Sequence, residues 1–84
     1  NMSDWTEVTG RHNSKKVSVK KLAELIIGRD ELGFEKQGNG EEFSFSFSYT
    51  GGNAAESLDQ IVKEFKKLDK NARISMEARI GFYG

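Results

Sequence analysis

Residues 43–49 read Phe43-Ser44-Phe45-Ser46-Phe47-Ser48-Tyr49, an unbroken alternation of aromatic and small polar side chains. Successive side chains of an extended strand point to opposite faces. The four aromatics therefore share one face and the three serines the other. A strand with one apolar and one polar face belongs to an antiparallel sheet that is covered on one side and open on the other.

The flanking sequence supplies the neighbours of this strand. Gly38-Asn39-Gly40 is a turn, and Leu32 and Phe34 alternate with polar residues before it, so strands over about 30–37 and 41–50 form a β-hairpin. Gly51-Gly52 ends the hairpin. Asn53, with Glu56 three residues on, resembles a capping box opening a helix over about 53–70. Leu58, Ile61, Val62, Phe65 and Leu68 form its apolar stripe. Lys66, Lys67 and Lys70 suit the negative end of its dipole, and Asn71 stops it. Ile74, Met76, Ala78, Ile80 and Phe82 then alternate with Arg73, Ser75, Glu77, Arg79 and Gly81, which predicts a last strand over about 72–83 with one buried face.

Towards the N-terminus, residues 4–11 alternate loosely as a strand, and 11–16 are polar throughout and read as a loop. Ser18 can cap a helix over about 18–28. Val17 and Leu22 have the spacing of a hydrophobic staple. Val19, Leu22, Ala23 and Ile26 mark one helical face. Gly28 is placed to end this helix in the left-handed conformation.

The order β-α-β-β-α-β has one simple compact solution. It is an α+β, ferredoxin-like four-stranded antiparallel sheet with two helices packed on one face. The first and third strands are central. The aromatic row meets Ile74, Met76, Ile80 and both helix stripes. The opposite face is polar, with Ser44, Ser46, Ser48, Arg73, Ser75, Glu77 and Arg79.

The chain has 84 residues, which suits one domain over 1–84 with a small core. It has 13 basic and 13 acidic residues, one His and no Cys. Disulfides, thiolate metal sites and His-rich clusters are thereby excluded, and no metal or cofactor is expected. No apolar run approaches bilayer length and no signal-peptide core occurs, so a cytoplasmic location is expected and a membrane is not. Asn1 before Met2 reads as a cloning remnant. Zero net charge disfavours a generic nucleic-acid binder. It also leaves self-association unopposed, so a homodimer through the sheet or its edges is plausible.

Three candidate binding features stand out. The first is Trp5. If Val8 faces the core, alternation sends Trp5, Glu7 and Thr9 to the open face, where Trp5 would anchor a partner; the competing reading puts Trp5 in the core. The second is the serine row, a flat platform or a passive wet surface. The third is a charge asymmetry. Arg11, Lys15, Lys16, Lys20 and Lys21 occur without an acid, while residues 30–42 are acidic apart from Lys36. The topology gathers Arg11, His12, Lys15, Lys16, Lys20, Lys70 and Arg73 at one end, near Glu41 and Glu42. Such an end can engage phosphate or an acidic protein surface, or be a solvated loop. His12 reads as a loop histidine able to tune that end.

No catalytic constellation is present: there is no nucleophile elbow and no phosphate-cradling Gly-rich Lys loop, so no enzyme is expected. Acylphosphatases hold phosphate in the loop after the first strand, but Gly10-Arg11-His12-Asn13-Ser14 lacks their Gly-Val-x-Phe-Arg run. The leading expectation is a non-enzymatic binding or regulatory module acting by protein–protein contact. It would be an adaptor or stoichiometric inhibitor of the size some phage proteins have. Its partner-binding candidates are Trp5, Arg11, Lys15, Lys16, Lys20, Ser44, Ser46, Ser48, Arg73, Glu77 and Arg79. The first alternative is a single-stranded nucleic-acid-binding domain, with Lys15, Lys16, Lys20 and Arg73 on phosphates and Trp5 stacking a base. RNA-recognition motifs share the topology and stack bases on sheet aromatics. The run Gly38–Phe45 resembles their Gly-and-aromatic strand, with Glu41 and Glu42 in place of its basic opening. The second alternative is a small-ligand regulatory domain using Gly51-Gly52 or a dimer groove.

Overall fold

The computed structural model describes the backbone at residues 3–37, 42–48 and 54–83, and the side chains at 5–35, 42–48 and 54–79. The elements run β1 (Ser3–His12), α1 (Val19–Ile26), a short 3-10 turn (Arg29–Glu31), β2 (Leu32–Gln37), β3 (Glu42–Ser48), α2 (Ala54–Leu68) and β4 (Ile74–Tyr83). The strands form one sheet in the order β2-β3-β1-β4, all antiparallel. This is the ferredoxin-like α+β arrangement, with β1 and β3 central. The expected turn at Gly38-Asn39-Gly40, Glu41, Tyr49, Gly51-Gly52 and the Asn53 cap lie outside the described residues, as do the side chains of Ile80 and Phe82.

Register explains which side chains meet. Val8 sits opposite Phe45 on one side and Ala78 on the other, and Gly10 opposite Phe43 and Met76. Directly opposed residues of an antiparallel pair share a face, so Thr6, Val8, Gly10 and His12 join the Phe row. Val8, Phe43, Phe45 and Phe47 are buried with Val19, Leu22 and Ala23 of α1 and Ile61 and Phe65 of α2. Phe34, Phe45 and Phe43 stack in series, at 5.4 and 6.2 Å between ring centres. Burying each such side chain stabilises by roughly 1.5–3 kcal/mol. This explains why a chain short of large apolar groups spends its Phe row on the core.

Local signals act as read at several points. The Ser18 hydroxyl accepts from the Lys21 amide at 3.2 Å and caps α1. Gly28 has positive φ, at 108°, but its ψ is 137°, so it does not take the left-handed helical cap. It turns the chain instead into the 3-10 segment, which delays β2 to Leu32. The α2 stripe also stops early. Leu68, the last residue of the helix, is 56% exposed. In β2 the register shifts between Phe34 and Lys36, leaving Glu35 as an extra residue against β3.

The 11–16 segment departs most from its reading as a polar loop. β1 continues through His12, and Ser14 is buried. The Ser14 hydroxyl donates to Asp69 Oδ2 at 2.7 Å and accepts from the Lys16 and Val17 amides at 3.1 and 3.0 Å. Asn13 exchanges two hydrogen bonds with the Arg73 backbone, one from its amide to the Arg73 carbonyl and one from the Arg73 amide to Asn13 Oδ1. The β1–α1 connection is thus tied to the α2–β4 connection.

Candidate functional site

The alternate residues of each strand form the open sheet face. On β1 these are Trp5, Glu7, Thr9 and Arg11; on β3 Ser44, Ser46 and Ser48; on β4 Ser75, Glu77 and Arg79. Trp5 is therefore not a core residue, because Val8 fixes the opposite parity. Its indole Nε1–H donates to Glu7 Oε2 at 3.0 Å. The other Glu7 oxygen, Oε1, accepts from Arg79 Nε at 2.9 Å and lies 2.9 Å from Nη2. Both carboxylate oxygens are thus occupied, and the indole and the guanidinium are held by one anion. The Trp5 hydrogen bond first, and then the Arg79 hydrogen bond and charge, keep the Glu7 carboxyl below its ordinary value. Exposed ion pairs contribute little to stability. The consequence of this one is that Trp5 is held in a fixed orientation at the surface.

Beside Trp5 runs a groove of about 360 Å³ bordered by Glu7, Asp30, Glu31, Glu35 and Ser46, with no cation among its lining residues. Sequence reasoning leaves Glu7, Asp30, Glu31 and Glu35 out of the candidate set. The two-residue spacing of Trp5 and Glu7 carried the signal for the first. Asp30 and Glu31 reach the groove through the 3-10 turn and Glu35 at the register shift of β2, neither of which has a pattern in sequence.

The basic residues divide. Arg11, His12, Asn13, Lys66, Arg73 and Ile74 line a cleft of about 560 Å³ at the end of the sheet. Lys15, Lys16, Lys20 and Lys70 are exposed outside it. Lys66 enters because its Nζ donates to the Ala72 carbonyl at 2.7 Å, which bends the side chain over the α2–β4 connection. Glu42 lies cross-strand from Arg11 and is not among the lining residues. His12 is not a loop residue. Its ring lies 5.5 Å edge-on to Phe65 and 5.9 Å from Phe43, and its Nδ1 accepts from the Ser14 amide at 3.1 Å. Burial pushes the His12 pKa below 6.5. Among the described residues no group of three or more His, Cys, Asp or Glu could hold a metal ion, and no helix is long and apolar enough to cross a membrane.

No family model matches the chain, and no curated protein sequence matches it significantly. Solved structures share its fold. A de novo designed protein, Foldit4, superposes with a TM-score of 0.55 at 22% identity, over 92% of this chain and 96% of its own. A protein from Thermus thermophilus, provisionally described as PII-like and signaling, superposes with a TM-score of 0.52 at 8% identity, over 99% of this chain and 91% of its own. At these identities the likeness is one of fold.

Proposed function

We propose that the chain is a small, non-enzymatic binding and regulatory module that engages a protein partner through its open sheet face. The observation that carries this is the Trp5–Glu7–Arg79 arrangement. A large aromatic is held at the surface by both oxygens of one carboxylate, on a platform of small serines. Rigid aromatic anchors of this kind dominate interface energetics, because little side-chain freedom is lost on docking. The groove of Asp30, Glu31 and Glu35 beside the anchor favours a partner surface that presents basic side chains. A regulatory role also fits the signaling description of the PII-like neighbour, whose fold the chain shares. The buried Phe row is unavailable for base stacking, which leaves the nucleic-acid alternative resting on Trp5 alone.

The test is affinity capture from source-cell extract with wild-type, Trp5→Ala and Arg79→Glu baits of equal thermal stability. The expected result is a basic-surfaced protein retained by the wild type and lost from both variants. Capture of no protein, or equal retention by all three baits, would sink the reading.

A further inference from the structure

The cleft at the end of the sheet is built from three elements. The end of β1 supplies Arg11 and His12, with Asn13 just after it; the start of β4 supplies Ile74, with Arg73 just before it; and the last turn of α2 supplies Lys66. Arg11, Lys66 and Arg73 thus share one cavity, with the carboxylates nearest Arg11, Glu42 and Glu77, in the adjoining groove on the open face rather than in the cleft lining. Like charges placed together repel. The Ser14–Asp69 and Asn13–Arg73 hydrogen bonds join the two connections through a hydroxyl, an amide and the backbone. Neither the Arg11 nor the Arg73 guanidinium has a hydrogen bond or ion pair with a described residue. Both forks are available, and Lys66 spends one of its three donors on Ala72. Two hydrogen bonds also tie Asn13 to the Arg73 backbone beside the cleft. His12 adds directionality. With Nδ1 accepting from the Ser14 amide, the neutral ring carries its proton on Nε2, its one remaining donor.

We propose that this cleft binds the phosphoryl group of a small phosphate monoester, with the ester's apolar body against Ile74 and the His12 ring. Guanidinium forks match tetrahedral oxyanions bidentately. The cleft, of about 560 Å³, has room for a small ligand. The site lies away from Trp5 but shares Arg11 with the open face, so a partner seated over the end of that face would compete with the ligand.

The test is a nuclear magnetic resonance titration of the intact chain with phenyl phosphate, inorganic phosphate and benzoate at matched ionic strength. Phenyl phosphate should bind saturably, more tightly than inorganic phosphate and benzoate, and shift the Arg11, Arg73 and His12 side-chain signals. Arg11→Gln and Arg73→Gln should each weaken it about tenfold, the loss of one charged hydrogen bond. Lys16→Gln, outside the cleft, should leave it unchanged. Benzoate binding as tightly as phenyl phosphate would overturn the assignment. So would non-saturating shifts spread over Lys15, Lys16 and Lys20, or a preference for single-stranded oligonucleotide lost equally in Lys16→Gln. The Arg variants remove no hydrogen bond or ion pair with a described residue, so equal thermal stability of variant and wild type assigns any loss to binding.

Discussion

The Phe43 ring occupies the space that the missing side chain of Gly10 leaves in the sheet. The two are direct cross-strand partners. A Cβ at Gly10 would meet Phe43 Cζ, lie 2.7 Å from Phe43 Cε1 and 2.6 Å from the Ser75 carbonyl. The ring is packed and the carbonyl is backbone, so neither yields cheaply. Gly10→Ala is therefore expected to destabilise by about 2 kcal/mol through overpacking. Urea unfolding reads this directly. A midpoint equal to wild type would show that the sheet relaxes around the methyl.

Ser14 links two connections that lie 55 residues apart in sequence. Ser14→Ala removes its bond to Asp69 and leaves the Lys16 and Val17 amides without their acceptor. The expected loss is about 2 kcal/mol, the usual consequence of stranding partly buried polar groups. Faster hydrogen exchange at the Val17 amide should accompany it; unchanged exchange there would contradict this account.

Thr6 is 1% exposed, and its hydroxyl has no hydrogen-bond partner. Thr6→Val keeps the shape and deletes the unsatisfied oxygen, so it should stabilise by about 1 kcal/mol. A lower melting temperature for the variant would refute this.

Glu7 should titrate below 4.5 in carbon-detected magnetic resonance. Trp5→Phe deletes the leading cause and should move the midpoint up, and Arg79→Gln should also raise it. Because the folded value is depressed, Glu7's contribution to stability is present above pH 4.5 and is lost as pH falls through the folded value. A Glu7 midpoint that ignores Trp5→Phe would remove the indole bond from solution.

His12 should titrate below 6.5, because burial against Phe43 and Phe65 favours the neutral ring. The unfolded chain then binds the proton more readily. His12's contribution is complete above pH 6.5 and declines as pH falls from there towards the folded value. Ring-proton shifts against pH decide it, and a midpoint above 6.5 would mean the ring is charged in the fold.

The strand alternation at Phe43–Ser48, the Ser18 cap and the apolar spacing of both helices are readable because each depends on backbone geometry within a few residues. From them follow the element order, the central position of β1 and β3, and the existence of one polar sheet face. The parity of β1 also follows once Val8 is assigned to the core, which sets Trp5 and Glu7 outside. Other features have no local signature. That Gly10 must lack a side chain depends on Phe43, 33 positions along the chain. That Ser14 is buried depends on Asp69, and that Lys66 joins Arg11 and Arg73 depends on where α2 ends over the sheet. Those relationships arise only when distant segments pair. Register and helix placement set which side chains converge, and the local sequence carries no record of either.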